Sequence, residues 1–226
     1  VEVGINAHSV SDHTQGNWEG CVGDIALSAT GRVWVDEVQV YPDVAKKSAR
    51  VEVTLGNRTG ACAKGEILLS ARAKPDAGAE AIPGAAFPVS VRPCGTRVSV
   101  EYPLGEGARP WDEFSATAYR LEVAWKGGDG TRDARVVTFG LREVGVDGTQ
   151  ITVNGRKTFL RGTLECCIFP LTGHPPTDVE SWKRIIRVCQ AHGLNHIRFH
   201  SHCPPEAAFV AADEMGFYYQ VEVAAW

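Results

Sequence analysis

Between Arg32 and Arg142 apolar and polar residues alternate in short runs: Val33 and Val35, Val38 and Val40, Val51, Val53 and Leu55, Ile67 and Leu69. The same period returns at Val89 and Val91, Val98 and Val100, and Leu121, Val123 and Trp125, and it closes at Val136-Val137. A period of two sends successive side chains to opposite faces, so each run predicts a strand with one face in a core. Turn formers separate the runs at Gly56-Asn57, Pro75-Asp76, Gly78, Pro83-Gly84, Gly105 and Gly127-Gly128-Asp129-Gly130. This spacing is that of an antiparallel sandwich of about 100 residues, and it predicts an immunoglobulin-like β-sandwich over 32–142.

Past Arg142 the pattern changes. Two tight-turn dipeptides, Asp147-Gly148 and Asn154-Gly155, sit among short apolar runs and predict a hairpin leading into a new domain over 143–226. A helix comes after it. Thr177 with Glu180 three residues on has the form of a capping box, Val179, Trp182, Ile185, Ile186 and Cys189 share a face, and Gly193 ends the run. A strand over Asn195–Phe199 comes next, then a helix over Glu206–Met215 that opens after Pro204-Pro205 and stops at Gly216, then a strand over Phe217–Val223. Strand, helix, strand, helix, strand demands parallel pairing through crossovers. That order suits either a doubly wound sheet or the first part of a (β/α)8 barrel. Residues 1–31, with Gly16–Gly20 as a loop and Val22–Leu27 as a last strand, read as the tail of a preceding domain.

Composition removes several function classes. A net charge of -4 and the lack of a Lys/Arg run argue against a nucleic-acid partner. The apolar stretches are broken well before the roughly 20 residues of a spanning helix. Val1 is not Met, and the first ten residues lack a signal-peptide pattern, so the native start is expected elsewhere. Seven cysteines, irregularly spaced and without a Cys-x-x-Cys pair, read as free, small apolar residues. Without a Gly-x-Gly-x-x-Gly after a strand, a nucleotide-binding half has no phosphate cradle.

Motifs and order together resemble the family 2 glycoside hydrolases, which include β-galactosidases, β-glucuronidases and β-mannosidases. Asn17-Trp18-Glu19-Gly20 through Ile25 is similar to the end of that family's N-terminal jelly-roll sugar-binding domain, and Trp34–Pro42 to the first strand of its sandwich. Trp111 with Tyr119-Arg120-Leu121 resembles a late sandwich strand, and Phe139-Gly140-Leu141-Arg142-Glu143 the junction. Leu160-Arg161-Gly162, Gly193–Arg198 and Asp213–Tyr218 resemble the first barrel strand, the second, and the corner into the third. The resemblance implies a segment of a retaining exo-β-glycosidase that removes terminal sugars from oligo- or polysaccharides. It also implies that the acid/base and nucleophile glutamates lie beyond Trp226, so this segment alone is expected to be inactive. No cofactor or metal is implied. The expected partners are a carbohydrate and the remainder of the parent chain, and a periplasmic or extracellular setting suits such an enzyme better than the cytoplasm.

The carboxyl ends of barrel strands line the pocket. Six residues there are the expected substrate-binding set: His200, His202, Arg198, Glu165, Glu222 and Trp226. A sugar offers apolar faces and a rim of hydroxyls, which aromatic and fixed polar groups suit. Each has a plainer alternative. Arg198 could hold Glu165 or Glu222 in a charge-assisted pair. His200 and His202, at i and i+2, could meet a ligand together or only face solvent. Cys166, Cys167, His200, His202 and Cys203 could converge on zinc, although no ligand-spacing motif supports it. Asn17 and Trp18 could reach the pocket or pack between domains, and Trp182 reads as core.

The sequence departs from the family at two places. Phe199–Pro204 carries two histidines where many members have Ser-His-Tyr-Pro, and Gln220-Val221-Glu222-Val223 stands where an Asp-Glu pair is common. A non-catalytic carbohydrate- or protein-binding sandwich is the competing function. Against it, Trp34, Tyr41, Phe87, Tyr102, Trp111, Phe114, Tyr119 and Trp125 fall on strands or near turns, where aromatic residues pack.

Overall fold

The alternating runs become seven strands: β1 (Val33–Asp43), β2 (Ser48–Asn57), β3 (Ala63–Lys74), β4 (Ala85–Val91), β5 (Thr96–Pro103), β6 (Ala118–Gly127) and β7 (Arg132–Gly140). A computed structural model describes residues 25–74 and 82–222. The seven strands form two antiparallel sheets, β1-β2-β5 and β4-β3-β6-β7, the layered arrangement of an immunoglobulin-like sandwich. Val51, Val53 and Leu55 on one inner face meet Ile67, Leu69, Leu121, Val123 and Trp125 on the other, and all are buried. Burying a side chain of this size stabilises the fold by about 1.5–3 kcal/mol, so these positions carry most of the sandwich's cohesion.

Two details of this sheet pair explain features of the sequence pattern. The alternation in β1 jumps phase between Val35 and Val38, and the β1–β2 register shifts between Val35 and Glu37. One extra residue there lets Val33 and Val35 before it, and Val38 and Val40 after it, all face the core. Gly56, expected in a turn, lies instead inside β2, paired with Trp34. A Cβ on Gly56 would stand 2.2 Å from the Trp34 ring, so the glycine gives the indole its seat. Tyr119 Oη accepts from Arg109 N at 2.7 Å and donates to Arg109 O at 3.1 Å, tying the segment before β6 to that strand.

The chain divides into two compact units, one over Ser28–Lys157 and one containing Thr158–Trp226. The first takes in a small antiparallel sheet, β10-β9-β8, built from β8 (Val144–Asp147), β9 (Gln150–Val153) and β10 (Arg156–Lys157). The pattern change at Arg142 groups these strands with the domain over 143–226, whereas the structure groups them with the sandwich. Hydrogen bonds make that connection: Asn154, at φ 52°, donates through Nδ2 to Trp111 O at 3.1 Å, and its Oδ1 accepts from Glu143 N at 3.0 Å. The proposed jelly-roll tail over 1–31, with Asn17 and Trp18, falls largely outside the described residues, as do the Pro75-Asp76 and Gly78 turn signals.

The second unit contains β11 (Gly162–Glu165), α1 (Val179–Ala191), β12 (His196–Phe199), α2 (Glu206–Met215) and β13 (Tyr218–Val221), in chain order. Its sheet is β11-β12-β13, parallel throughout. Helix α1 buries Trp182, Ile186 and Cys189, and α2 buries Ala208, Ala211 and Ala212, against Ile197, Phe199 and Phe217. Trp182 is core, as its place on the apolar face implied. The cap of α1 is one residue later than the capping-box pattern suggested: Asp178 accepts from Ser181 N at 2.8 Å. Glu180 is occupied elsewhere, paired with Lys183 and Arg187. Gly216 stops α2 in the left-handed conformation at φ 67°.

Candidate functional site

The parallel register places Glu165, Phe199 and Val221 side by side at the carboxyl ends of β11, β12 and β13. The amino ends are fastened first. Asn195 Oδ1 accepts from Arg161 N at 2.8 Å and its Nδ2 donates to Phe159 O at 3.1 Å, so one side chain locks the start of β12 to the approach of β11. His196 lies over Gly162, where a Cβ would come within 2.4 Å of the imidazole Nδ1. Burial holds the His196 pKa below its ordinary 6.5.

At the carboxyl end the backbone leaves the strand geometry through two non-glycine residues at positive φ, Cys167 at 58° and Ser201 at 59°. Such a conformation costs an ordinary residue about 1–2 kcal/mol. Each is held by a carboxylate. Glu165 Oε1 accepts from Cys167 N at 2.6 Å, and Glu222 Oε2 accepts from Ser201 N at 3.0 Å. A hydrogen bond from the strained residue's own N–H to a charged acceptor works against that strain.

The second oxygen of each carboxylate faces a basic side chain, Arg198 for Glu222 and His202 for Glu165. Arg198 donates through Nε to Glu222 Oε1 at 2.5 Å and through its Nη2 to the same oxygen. This is the charge-assisted pair that alternation along β12 allowed, with Glu222 rather than Glu165 as the partner. The Ser201 amide first, and then Arg198, hold the Glu222 carboxyl below its ordinary range.

Glu165 meets His202 instead. His202 Nε2 lies 2.8 Å from Glu165 Oε2, and its Nδ1 lies 3.2 Å from His200 O. The first contact is close but not aligned as a linear hydrogen bond, and neither atom has a better partner. An imidazole facing an acceptor on each side satisfies both only when both nitrogens carry protons. Burial pulls the His202 pKa down, but the Glu165 carboxylate and the His200 carbonyl outweigh it, and the net direction is up.

The i, i+2 spacing therefore does not put the two histidines on one face. The left-handed turn at Ser201 breaks the alternation and sends His202, 2% exposed, against Phe199, with ring centroids 5.5 Å apart. His200 stays half-buried at the strand end, its N–H continuing the ladder to Glu165 O at 2.8 Å. Five of the six expected residues thus gather at one edge, four of them as two pairs and His200 in the short loop beside them. Trp226 lies outside the described residues. The sequence pattern offered Cys167 only as a possible zinc ligand and Ser201 not at all; the part of both is played by backbone N–H groups that no residue type signals. Among the described residues no three His, Cys, Asp or Glu side chains form a metal-binding group.

Comparison with solved structures reaches both halves of the chain. A β-galacturonidase of Eisenbergiella tayi bound to galacturonate matches over 86% of this chain with a TM-score of 0.68 and 20% identity. A family 2 glycoside hydrolase of Bacteroides cellulosilyticus matches over 86% with a TM-score of 0.74 and 18% identity. Over the part it covers, the chain has the fold of these family 2 glycoside hydrolases. The β-glucuronidase of Ruminococcus gnavus in complex with D-glucuronic acid shares this fold over 85% of the chain, at a TM-score of 0.65 and 22% identity. The segment spans 34%, 27% and 30% of those three chains, so it is similar to about a third of each or less. No family model and no curated protein matches the sequence.

Proposed function

We propose that this chain is the sandwich and the opening of the catalytic barrel of a retaining exo-β-glycosidase. The observation that carries this reading is the match to family 2 glycoside hydrolase structures over 86% of the chain, a share too large to leave out either the sandwich or the parallel β/α unit. In this reading β11, β12 and β13 are the first three strands of the barrel, and the loop at 200–202 belongs to the wall of the sugar site. His200 and Arg198 are the sugar-facing candidates, with His202, Glu165 and Glu222 behind them and Trp226 further along the chain.

Bond cleavage is assigned to other residues of the parent. Retention requires two carboxyl groups about 5–5.5 Å apart, one free to attack the anomeric carbon and one to protonate the leaving oxygen. Of the two strand-end carboxylates here, Glu222 is engaged by the Ser201 N–H and by Arg198, and Glu165 by the Cys167 N–H with His202 against its other oxygen. A carboxylate whose oxygens are so occupied is a poor nucleophile. The remainder of the parent chain is accordingly the partner that completes the site, and the 226-residue chain by itself is inactive.

Incubating the full-length protein with a broad panel of aryl β-glycosides tests the reading. Release of the phenol from at least one is expected, and silence across the panel overturns it.

A further inference from the structure

The loop after β12 is fastened from both sides. From β11, Glu165 Oε2 faces His202 Nε2 at 2.8 Å. From the end of β13, Glu222 Oε2 takes the Ser201 N–H at 3.0 Å while its other oxygen holds Arg198. A third contact, His202 Nδ1 to His200 O at 3.2 Å, closes the loop on itself. The residues spanned, His200 to His202, are thus held by Glu222 at the Ser201 backbone N–H and by Glu165 at the His202 imidazole.

Nothing in the amino-acid types of this loop makes that conformation favourable by itself. Ser201 is a non-glycine residue at φ 59° and 2% exposed, and Cys167 across from it repeats the geometry at 58° with the same exposure. Two left-handed non-glycine residues at adjoining strand ends, each capped by a carboxylate through its amide, constitute backbone strain that the surroundings must maintain. Strain of that kind concentrates where side-chain placement matters. What it places here is His200, which leads the loop.

We propose that Glu165 and Glu222 are positioning residues: they clamp the 200–202 loop and so fix the His200 side chain at the pocket edge, and neither touches the sugar. This rests on the glycosidase reading for what His200 does, but the clamp itself does not. The groups facing the buried imidazole are Glu165 from β11 and the His200 carbonyl from its own loop, with the Phe199 ring against it. The Arg198–Glu222 pair lies on the other side of Ser201, and the Tyr219 ring packs on Phe199 from β13. A carboxylate and a carbonyl, one on each nitrogen, favour the imidazolium.

Histidine-labelled protein of this chain, followed by NMR across pH together with amide exchange at Cys167 and Ser201, tests the clamp. His202 is expected to titrate above the ordinary histidine midpoint of about 6.5, with the Cys167 and Ser201 amides shifting in the same transition. Glu165→Gln lowers the His202 midpoint and speeds Cys167 amide exchange by at least about tenfold. Glu222→Gln does the same at Ser201, and both variants move the His200 resonances while those of β2 and β6 stay fixed. A wild-type His202 midpoint at or below the ordinary value overturns the proposal, and so does a Glu165→Gln midpoint unchanged from wild type. The wild-type titration decides the matter if a variant fails to fold. Because none of these readouts is catalytic, a protein that hydrolyses no glycoside can still display the clamp, and an active one can lack it.

Discussion

Glu165 Oε2 and His202 Nε2 lie 2.8 Å apart with the His202 side chain 2% exposed, so the end of β11 and the loop after β12 are joined by a buried acid–imidazole contact. A buried pair is stable only if it shares a proton or carries matched charges, because either partner alone would be a desolvated ion or an unsatisfied polar group. Both nitrogens of His202 face acceptors, which favours the charged form. The pair therefore acts as a crosslink between strands whose strength depends on pH.

Two histidines of this one sheet pull stability in opposite directions. The pKa of His202 is raised, so its contribution is fully present below pH 6.5 and is lost as pH rises through its folded midpoint. The pKa of His196 is lowered by burial, so its cost is absent above 6.5 and grows as pH falls from 6.5 toward its folded midpoint. Between them the two histidines should make wild type most stable near pH 6.5, with stability falling on either side. His196→Gln removes the acid arm, and the variant's stability should fall less than wild type's as pH drops from about 6.5 to 5, with the loss above 6.5 unchanged. Urea midpoints at several pH values measure this, and parallel profiles for variant and wild type would count against it.

The α1 cap separates the sequence expectation from the structure in a single experiment. Thr177 with Glu180 fits the capping-box spacing, but Asp178 supplies the hydrogen bond to Ser181 N. Asp178→Ala should cost about 1 kcal/mol, the usual effect of losing an N-cap. Thr177→Ala, away from that bond, should stay within about 0.5 kcal/mol of wild type. Thermal or urea denaturation of the two variants checks the assignment, and equal costs would contradict it.

Much of the architecture was legible because it rests on periodicity and punctuation. The strands around Val51–Leu55 and Leu121–Trp125 alternate cleanly because one face is buried. Helix α2 begins and ends where Pro205 and Gly216 put it, since proline suits a helix start and glycine tolerates a left-handed stop. Arg198 pairing with a strand-end glutamate came from alternation along β12. The features that pattern misplaces are those set by partners far along the chain. Gly56 reads as a turn until Trp34 is seen lying over it. His200 and His202 read as one face until Ser201, a residue with no left-handed preference, turns the chain between them. The hairpin over 144–157 reads as the start of the next domain until Asn154 is seen bonded to Trp111.

Membership of this chain in a retaining β-glycosidase is tested most directly by the stereochemistry of the first product. The full-length protein should be followed by proton NMR on whichever aryl β-glycoside it cleaves, with the anomeric signals recorded before mutarotation equilibrates them. The β-anomer of the free sugar is expected to accumulate first, with the α-anomer growing in later. An α-anomer that forms first, or a product that forms without glycosidic cleavage, would contradict a retaining mechanism.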